Sequence, residues 1–235
     1  MGGLEPVTSV LTLAGGEAPQ VVCIGAHCDD IEIGCGGTLA VLSQAWPKAH
    51  FHCLVFSGDE VRTRESRRCL ELMLGANRFN LQVLGYRDGY FPSDWADIKR
   101  SVSDLSRAVE ADLVFTHASS DLHQDHRTLS ELTWNHFRRH TILEYEIVKY
   151  DGNPGPVNLF VPLSQDQLAR KVDALMTAFE SQTGKSWFTR STFEAIARLR
   201  GVESAAVNGY AEAFHARKLL LTPVARPERE ATAGR

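Results

Sequence analysis

The chain has 235 residues, of which 43% are hydrophobic and 23% charged, with a formal net charge of −4. Apolar content of that order suffices for a globular core, and the length suits one α/β domain. Mild charge without a long basic run or an arginine–aromatic stripe argues against nucleic acid as a partner, and no stretch is apolar for long enough to span a bilayer.

Cys23, Cys28, Cys35, Cys53 and Cys69 are the only cysteines, all in the N-terminal third and mostly within apolar segments. An odd number in that setting points to buried free thiols and a reducing compartment, not a disulfide framework. Residues 1–20 show no basic start followed by an apolar core, so no secretory leader is expected and the cytoplasm is the expected location.

In chain order, Val21–Ala26 is a short apolar run of the kind buried on both faces of a sheet. Gly34, Gly36 and Gly37 follow, and a helix is expected from Thr38 to about Trp46-Pro47. His50–Phe56 reads as a second strand and Arg64–Leu74 as a helix stopped by Gly75. Asn80–Leu84 is a third strand, and Asp94–Glu110 a helix with Ile98, Val102, Leu105 and Val109 at helical spacing. Leu113–Thr116 is a fourth strand, Gln124–His140 a helix, and Glu144–Tyr150 alternates as a strand does. This order predicts a Rossmann-like three-layer α/β/α fold with a mostly parallel sheet. After the turn-rich Asp151–Pro156 the pattern weakens. A short strand is expected over Leu159–Pro162, helices over Gln165–Glu180 and Phe193–Leu199, and a strand or a helix end over Phe214–Leu221. One domain is expected over 1–221, with 222–235 a disordered tail.

Two polar clusters stand directly after predicted strands: His27-Cys28-Asp29-Asp30 after the first, and His123-Gln124-Asp125-His126 after the fourth. Arg62 follows the second strand and Asp88 the third. Ligands in open α/β sheets bind beyond the carboxyl ends of the strands, so all four loops are expected at one edge. Zinc accepts imidazole nitrogen and carboxylate oxygen, and a catalytic site keeps one position open for water. His27, Asp30 and His126 form such a set, which leaves Asp29 free as a general base. His123, three residues before His126, then faces a substrate carbonyl to steady an oxyanion or protonate a leaving amine. Asp125 is placed to hydrogen-bond an imidazole and fix its tautomer. Iron, cobalt or manganese suit the same donors, and Cys28 is a competing ligand.

Capping supplies a bland alternative for each cluster, since Asp is favoured at helix starts and turns. It accounts for one Asp of the first cluster well and for the second histidine cluster not at all. His50, His52, His117, His136 and His140 read as structural or surface residues. The glycines do not match a dinucleotide fingerprint, and no Lys-Ser/Thr completes a phosphate loop.

His27-Cys28-Asp29-Asp30 with Gly36-Gly37, and His123-Gln124-Asp125-His126-Arg127, resemble the two signatures of the PIG-L/LmbE-like zinc deacetylases. The resemblance takes in Gly58, Arg62, Glu65, Leu74-Gly75 and Arg87-Asp88-Gly89, with an echo in Tyr210-Ala211-Glu212-Ala213-Phe214. The family removes N-acetyl groups from amino sugars, among them GlcNAc-phosphatidylinositol, GlcNAc-inositol in mycothiol synthesis and GlcNAc-malate in bacillithiol synthesis. It implies Zn2+ held by His27, Asp30 and His126, Asp29 as base, His123 on the oxyanion side, and Arg62 and Asp88 at substrate hydroxyls or the acyl group. Where this chain has Cys28 the family usually has proline, and often also where it has Gln124; both changes loosen a loop without removing an expected ligand.

The expected partner is therefore a small N-acetylated amino sugar or conjugate, and a homo-oligomer is compatible with the sequence. The rivals are an amidase acting on a larger sugar or thiol conjugate through the same centre, a nucleotide-binding Rossmann domain, and a non-catalytic metal-binding relative. A carboxylate such as Asp29, free of ligation, has no use in the last.

Overall fold

The computed structural model describes residues 13, 16–151 and 154–220. Seven strands form one sheet in it: β1 (Gln20–His27), β2 (His50–Ser57), β3 (Phe79–Val83), β4 (Leu113–His117), β5 (Thr141–Tyr145), β6 (Leu159–Leu163) and β7 (Tyr210–His215). Their order is β3-β2-β1-β4-β5-β7-β6. The first five run parallel, and β7 and β6 add an antiparallel edge. The helices are α1 (Asp30–Ala45), α2 (Glu60–Leu74), α3 (Trp95–Ala108), α4 (Gln124–His136), α5 (Gln165–Ala178) and α6 (Arg190–Glu203). This is the α/β fold read from the sequence, with its sheet mostly parallel.

Side chains alternate between the faces of a strand. Val21 and Cys23 of β1 accordingly pack into one core with α1, α2, α5 and α6, while Val22 and Ile24 pack into another with α3 and α4. Both faces are covered, which is why the parallel strands read as unbroken apolar runs. All five cysteines are free and buried. From β1 the chain winds outward through β2 to β3, then returns to place β4 on the other side of β1. The ends of β1 and β4 thus flank the point where winding reverses, the place where such sheets open a crevice for ligands.

Several boundaries differ from the sequence expectation. Helix α1 starts at Asp30 instead of Thr38, so Gly34, Gly36 and Gly37 lie inside it. Glycine is a poor helix former, but here packing decides. A Cβ on Gly34 would come within 2.2 Å of the Tyr145 ring, and one on Gly37 within 2.9 Å of the Glu212 carboxylate. Glu212 uses that space to accept from the backbone N–H of Gly37 and Thr38 at 2.8 and 2.6 Å. Buried Lys171 pairs with Glu212 at 2.6 Å and donates to the Ile33 carbonyl at 2.6 Å. Helix α1 is thereby pinned to β7 and α5, and the glycines are packing sites, not a phosphate cradle.

Strand β5 ends at Tyr145, and the segment expected as its body lies mostly beyond it. The misleading alternation included Glu144, which is buried because it accepts from Ser119 N, Ser119 Oγ and Trp134 Nε1 at 2.8, 2.8 and 2.6 Å. Helix α4 stops at His136, earlier than expected, and α6 extends beyond Phe193–Leu199 at both ends. The Tyr210–Phe214 echo is strand β7, not the later Phe214–Leu221. Pro162 sits in β6 at the sheet edge, where a missing N–H is tolerated. The expected tail 222–235 lies outside the described residues. Among those described, no helix is long and apolar enough to cross a membrane.

Candidate metal centre

His27 is the last residue of β1, and Asp30 the first of α1. Their two-residue connection turns sharply: Asp29 has φ 138°, a backbone state that L-residues seldom occupy outside sites that need it. Asp29 stands at the N-cap of α1, yet its side chain makes no capping hydrogen bond. The capping explanation therefore fails for Asp29. Asp30 turns back, its Oδ2 accepting from the backbone N–H of His27 at 2.7 Å. Across the crevice, β4 ends at His117, His123 caps α4, and His126 lies in that helix's first turn.

His27 Nδ1, Asp30 Oδ2 and His126 Nε2 form a nearly equilateral triangle, with sides of 3.4, 3.5 and 3.3 Å. Bonds of ~2.0–2.1 Å in tetrahedral geometry separate ligand atoms by roughly 3.4 Å. The donor types and spacing fit a single transition metal ion. Cys28 is not among the converging donor groups found in the described residues. Burial pushes its thiol up, away from the thiolate that would ligate.

Asp29 lines the same cavity as the triangle and is held by Arg62, its Oδ2 2.7 Å from Nη2. Arg62 also donates to the Cys28 carbonyl, to Glu65 at 3.2 Å and to Ser181 Oγ at 3.2 Å. Glu65 in turn accepts from Ser181 N and Oγ at 2.8 and 2.6 Å. Arg62 therefore lies at the site, as its place after β2 suggested, but most of its donors are engaged with protein. Asp88 approaches His27 Nε2 at 3.0 Å. Asp125, also 3.4 Å from that nitrogen, accepts from Gly89 N and Phe91 N at 2.6 and 3.1 Å, tying the loop after β3 to α4. His123 takes a backbone N–H on Nδ1, from Asp125 at 3.3 Å, and faces His27 edge-on.

Burial would raise Asp30, but His126 and His117, with His27, hold it well below the usual carboxylate range. Burial pushes Asp29 up to about 6, against the pull of Arg62. Burial, with His117 beside it, pushes His126 down to about 3, which keeps its imidazole in the neutral form that ligates. Burial also opposes a charged His27, but Asp125, Asp30 and Asp88 outweigh it and raise that imidazole well above its normal range. His123 is lowered by burial and by His27.

Three residues at the site escaped the sequence reading. His117 is buried, stacks on His126 at 3.8 Å, and accepts from Ala26 N at 2.9 Å, so it locks the end of β4 to the end of β1. Its signal was slight, a lone histidine closing an apolar run. Asp121 Oδ2 lies 2.9 Å from His126 Nδ1, and Lys149 Nζ donates to both Asp121 oxygens at 2.8 Å. The triangle opens into a cavity of about 690 Å³ that is also lined by Tyr86, Asp88, Lys149, Tyr150, Lys185 and Trp187.

Residues 22–137, which include both polar clusters, match the family model PIG-L: GlcNAc-PI de-N-acetylase. The chain is also 30% identical over 128 residues to the uncharacterized deacetylase YaiS of Escherichia coli (strain K12), covering 50% of this chain and 68% of that protein. The chain belongs to the PIG-L family. Solved structures agree on the fold. An inhibitor-bound N,N'-diacetylchitobiose deacetylase from Pyrococcus horikoshii superposes with TM-score 0.60 at 21% identity, over 84% of this chain and 83% of that one. GalB, the 4-carboxy-2-hydroxymuconate hydratase of Pseudomonas putida KT2440, gives TM-score 0.69 at 15% identity, over 88% and 100%. One architecture thus carries a deacetylase and a hydratase, so the PIG-L reading stands on the family match and the side chains, not on shape.

Proposed function

We propose that this PIG-L protein is a zinc-dependent hydrolase that removes an N-acetyl group from an amino sugar or an amino-sugar conjugate. The observation that carries the reading is the His27–Asp30–His126 triangle, with the unligated Asp29 beside it. His27, Asp30 and His126 would hold the ion. When bound, zinc supplies a Lewis acid for the amide carbonyl and lowers the pKa of water at its open position. Asp29, oriented by Arg62, takes the proton from the attacking water. His123 lines the same cavity from the α4 side, where it steadies the oxyanion and delivers a proton to the leaving amine as the C–N bond breaks. The products are acetate and a free amine. Asp88 lies at the cavity wall within reach of substrate hydroxyls, and its carboxylate and that of Asp125 stand 3.0 and 3.4 Å from His27 Nε2.

The cavity continues well beyond the space an acetamido group needs, toward Tyr150 and Trp187. That extent favours a conjugate over a single free hexosamine, and it keeps an amidase acting on larger acyl groups as the second reading. The test is to incubate the protein with N-acetylglucosamine and its glycosides and to measure acetate and free amine. Equal amounts of both are expected, abolished by chelation and restored by zinc. A longer carboxylic acid in place of acetate selects the amidase. Full turnover after complete metal removal overturns the reading.

A further inference from the structure

We propose that Asp121 is the positioning residue for His126, fixing which ring nitrogen carries the proton and so how tightly the chain holds its metal ion. The inference rests on the reading of His27, Asp30 and His126 as ligands. His126 Nε2 faces His27 and Asp30 at 3.3 and 3.5 Å, so a neutral, ligating imidazole must carry its proton on Nδ1. Among the described residues, Asp121 Oδ2 is the hydrogen-bond partner of that nitrogen, at 2.9 Å, and both residues are almost fully buried. A carboxylate there fixes tautomer and ring rotation and makes Nε2 a better donor.

The rest of the Asp121 environment serves the same placement. Oδ1 accepts from the backbone N–H of His123 at 2.8 Å, so one side chain orients both histidines of the second cluster. Lys149 binds both Asp121 oxygens, which offsets the cost of a buried carboxylate. A plain turn role for Asp121 explains the bond to His123 N alone. It does not account for the second oxygen, which lies 2.9 Å from His126 Nδ1.

The replacement Asp121→Asn separates the two roles. An asparagine keeps the size, and its carbonyl still accepts from His123 N, but its NH2 then points at His126 Nδ1. That donor favours the tautomer with the proton on Nε2, the wrong one for ligation. Zinc and cobalt affinities are measured by competition with a chromophoric chelator, beside the melting temperature of the metal-free protein. Asp121→Asn should weaken metal binding by ~10–100-fold, with a changed visible spectrum of the cobalt form and a similar metal-free melting temperature. Affinity within twofold of the parent overturns the proposal. A second measurement needs no variant: nitrogen-resolved histidine NMR of the zinc-loaded parent should place the His126 proton on Nδ1, and a proton on Nε2 overturns it equally. If the parent holds no stoichiometric metal, the ligand reading itself fails. If the parent binds metal and Asp121→Asn binds it as well, Asp121 alone loses its role.

Discussion

The parallel and antiparallel parts of the sheet divide the labour of the cavity. Its floor comes from the parallel part, where His27 ends β1, α1 starts at Asp30, and the start of α4 after β4 carries His123 and His126. Its outer wall comes from irregular chain near the antiparallel edge: residues 147–151 after β5 and 182–187 after α5. Floor residues are buried and cross-linked, with Asp30 and His126 at most 3% exposed, whereas Tyr150 on the wall is 71% exposed. Rigid strand ends suit chemistry that needs fixed geometry, and loops suit the selection of a substrate. The two regions are joined at Ser181, which Glu65 and Arg62 connect to Asp29.

The sharpest way to test this division is at the floor. Asp29→Asn keeps the three ligand side chains and should leave metal content unchanged while kcat falls by ~10²–10⁴-fold; turnover within tenfold of the parent would remove Asp29 as the base. At the wall the effect should be smaller and of another kind. Trp187→Ala is expected to raise KM for a bulky N-acetylglucosaminide up to ~tenfold, the scale of one aromatic contact, with kcat nearly unchanged. A fall in kcat with no change in KM would place Trp187 in the floor's business and dissolve the distinction.

The smallest effect concerns stability beneath the floor. Glu32 is fully buried, and that burial pushes its carboxyl from 4.5 up to about 8, against the hydrogen bond from Ser66. An acid raised in the folded state favours folding fully below the unfolded value, and that advantage drains away as pH climbs toward the folded one. Glu32 should therefore cost stability progressively between pH 4.5 and about 8. Glu32→Gln is expected to melt at least ~2 °C higher than the parent at pH 8 and no higher at pH 4. An equal shift at both pH values would show that the effect is packing and not ionisation.

Much of the floor was legible in the sequence. Unbroken apolar runs marked β1 and β4, and the position of His27–Asp30 and His123–His126 just past them put both clusters at one sheet edge. What stayed hidden depends on contacts between distant segments. The start of α1 was misplaced because glycine lowers helix propensity, and only the Tyr145 ring and the Glu212 carboxylate explain why glycines belong there. His117 looked like any lone histidine until its stack on His126 and its bond to Ala26 were visible. Asp121 and Lys149 lie 28 positions apart and meet only once the loops beyond β4 and β5 are in place. Glu144 misled the reading of β5, because a buried glutamate mimics an exposed one in a pattern of alternation. The wall residues carry no motif of their own: residues 147–150 read only as part of an alternating strand, which the structure ends at Tyr145.

The central claim is that His27, Asp30 and His126 share one ion, and metal analysis tests it most directly. Protein purified without chelators and dialysed against trace zinc should hold one zinc per chain, with X-ray absorption showing only nitrogen and oxygen neighbours at ~2.0–2.1 Å. Asp30→Ala and His126→Ala, folded by circular dichroism, should each lose that zinc. Retention of a full equivalent in either variant, or a sulfur neighbour from Cys28, would contradict the account.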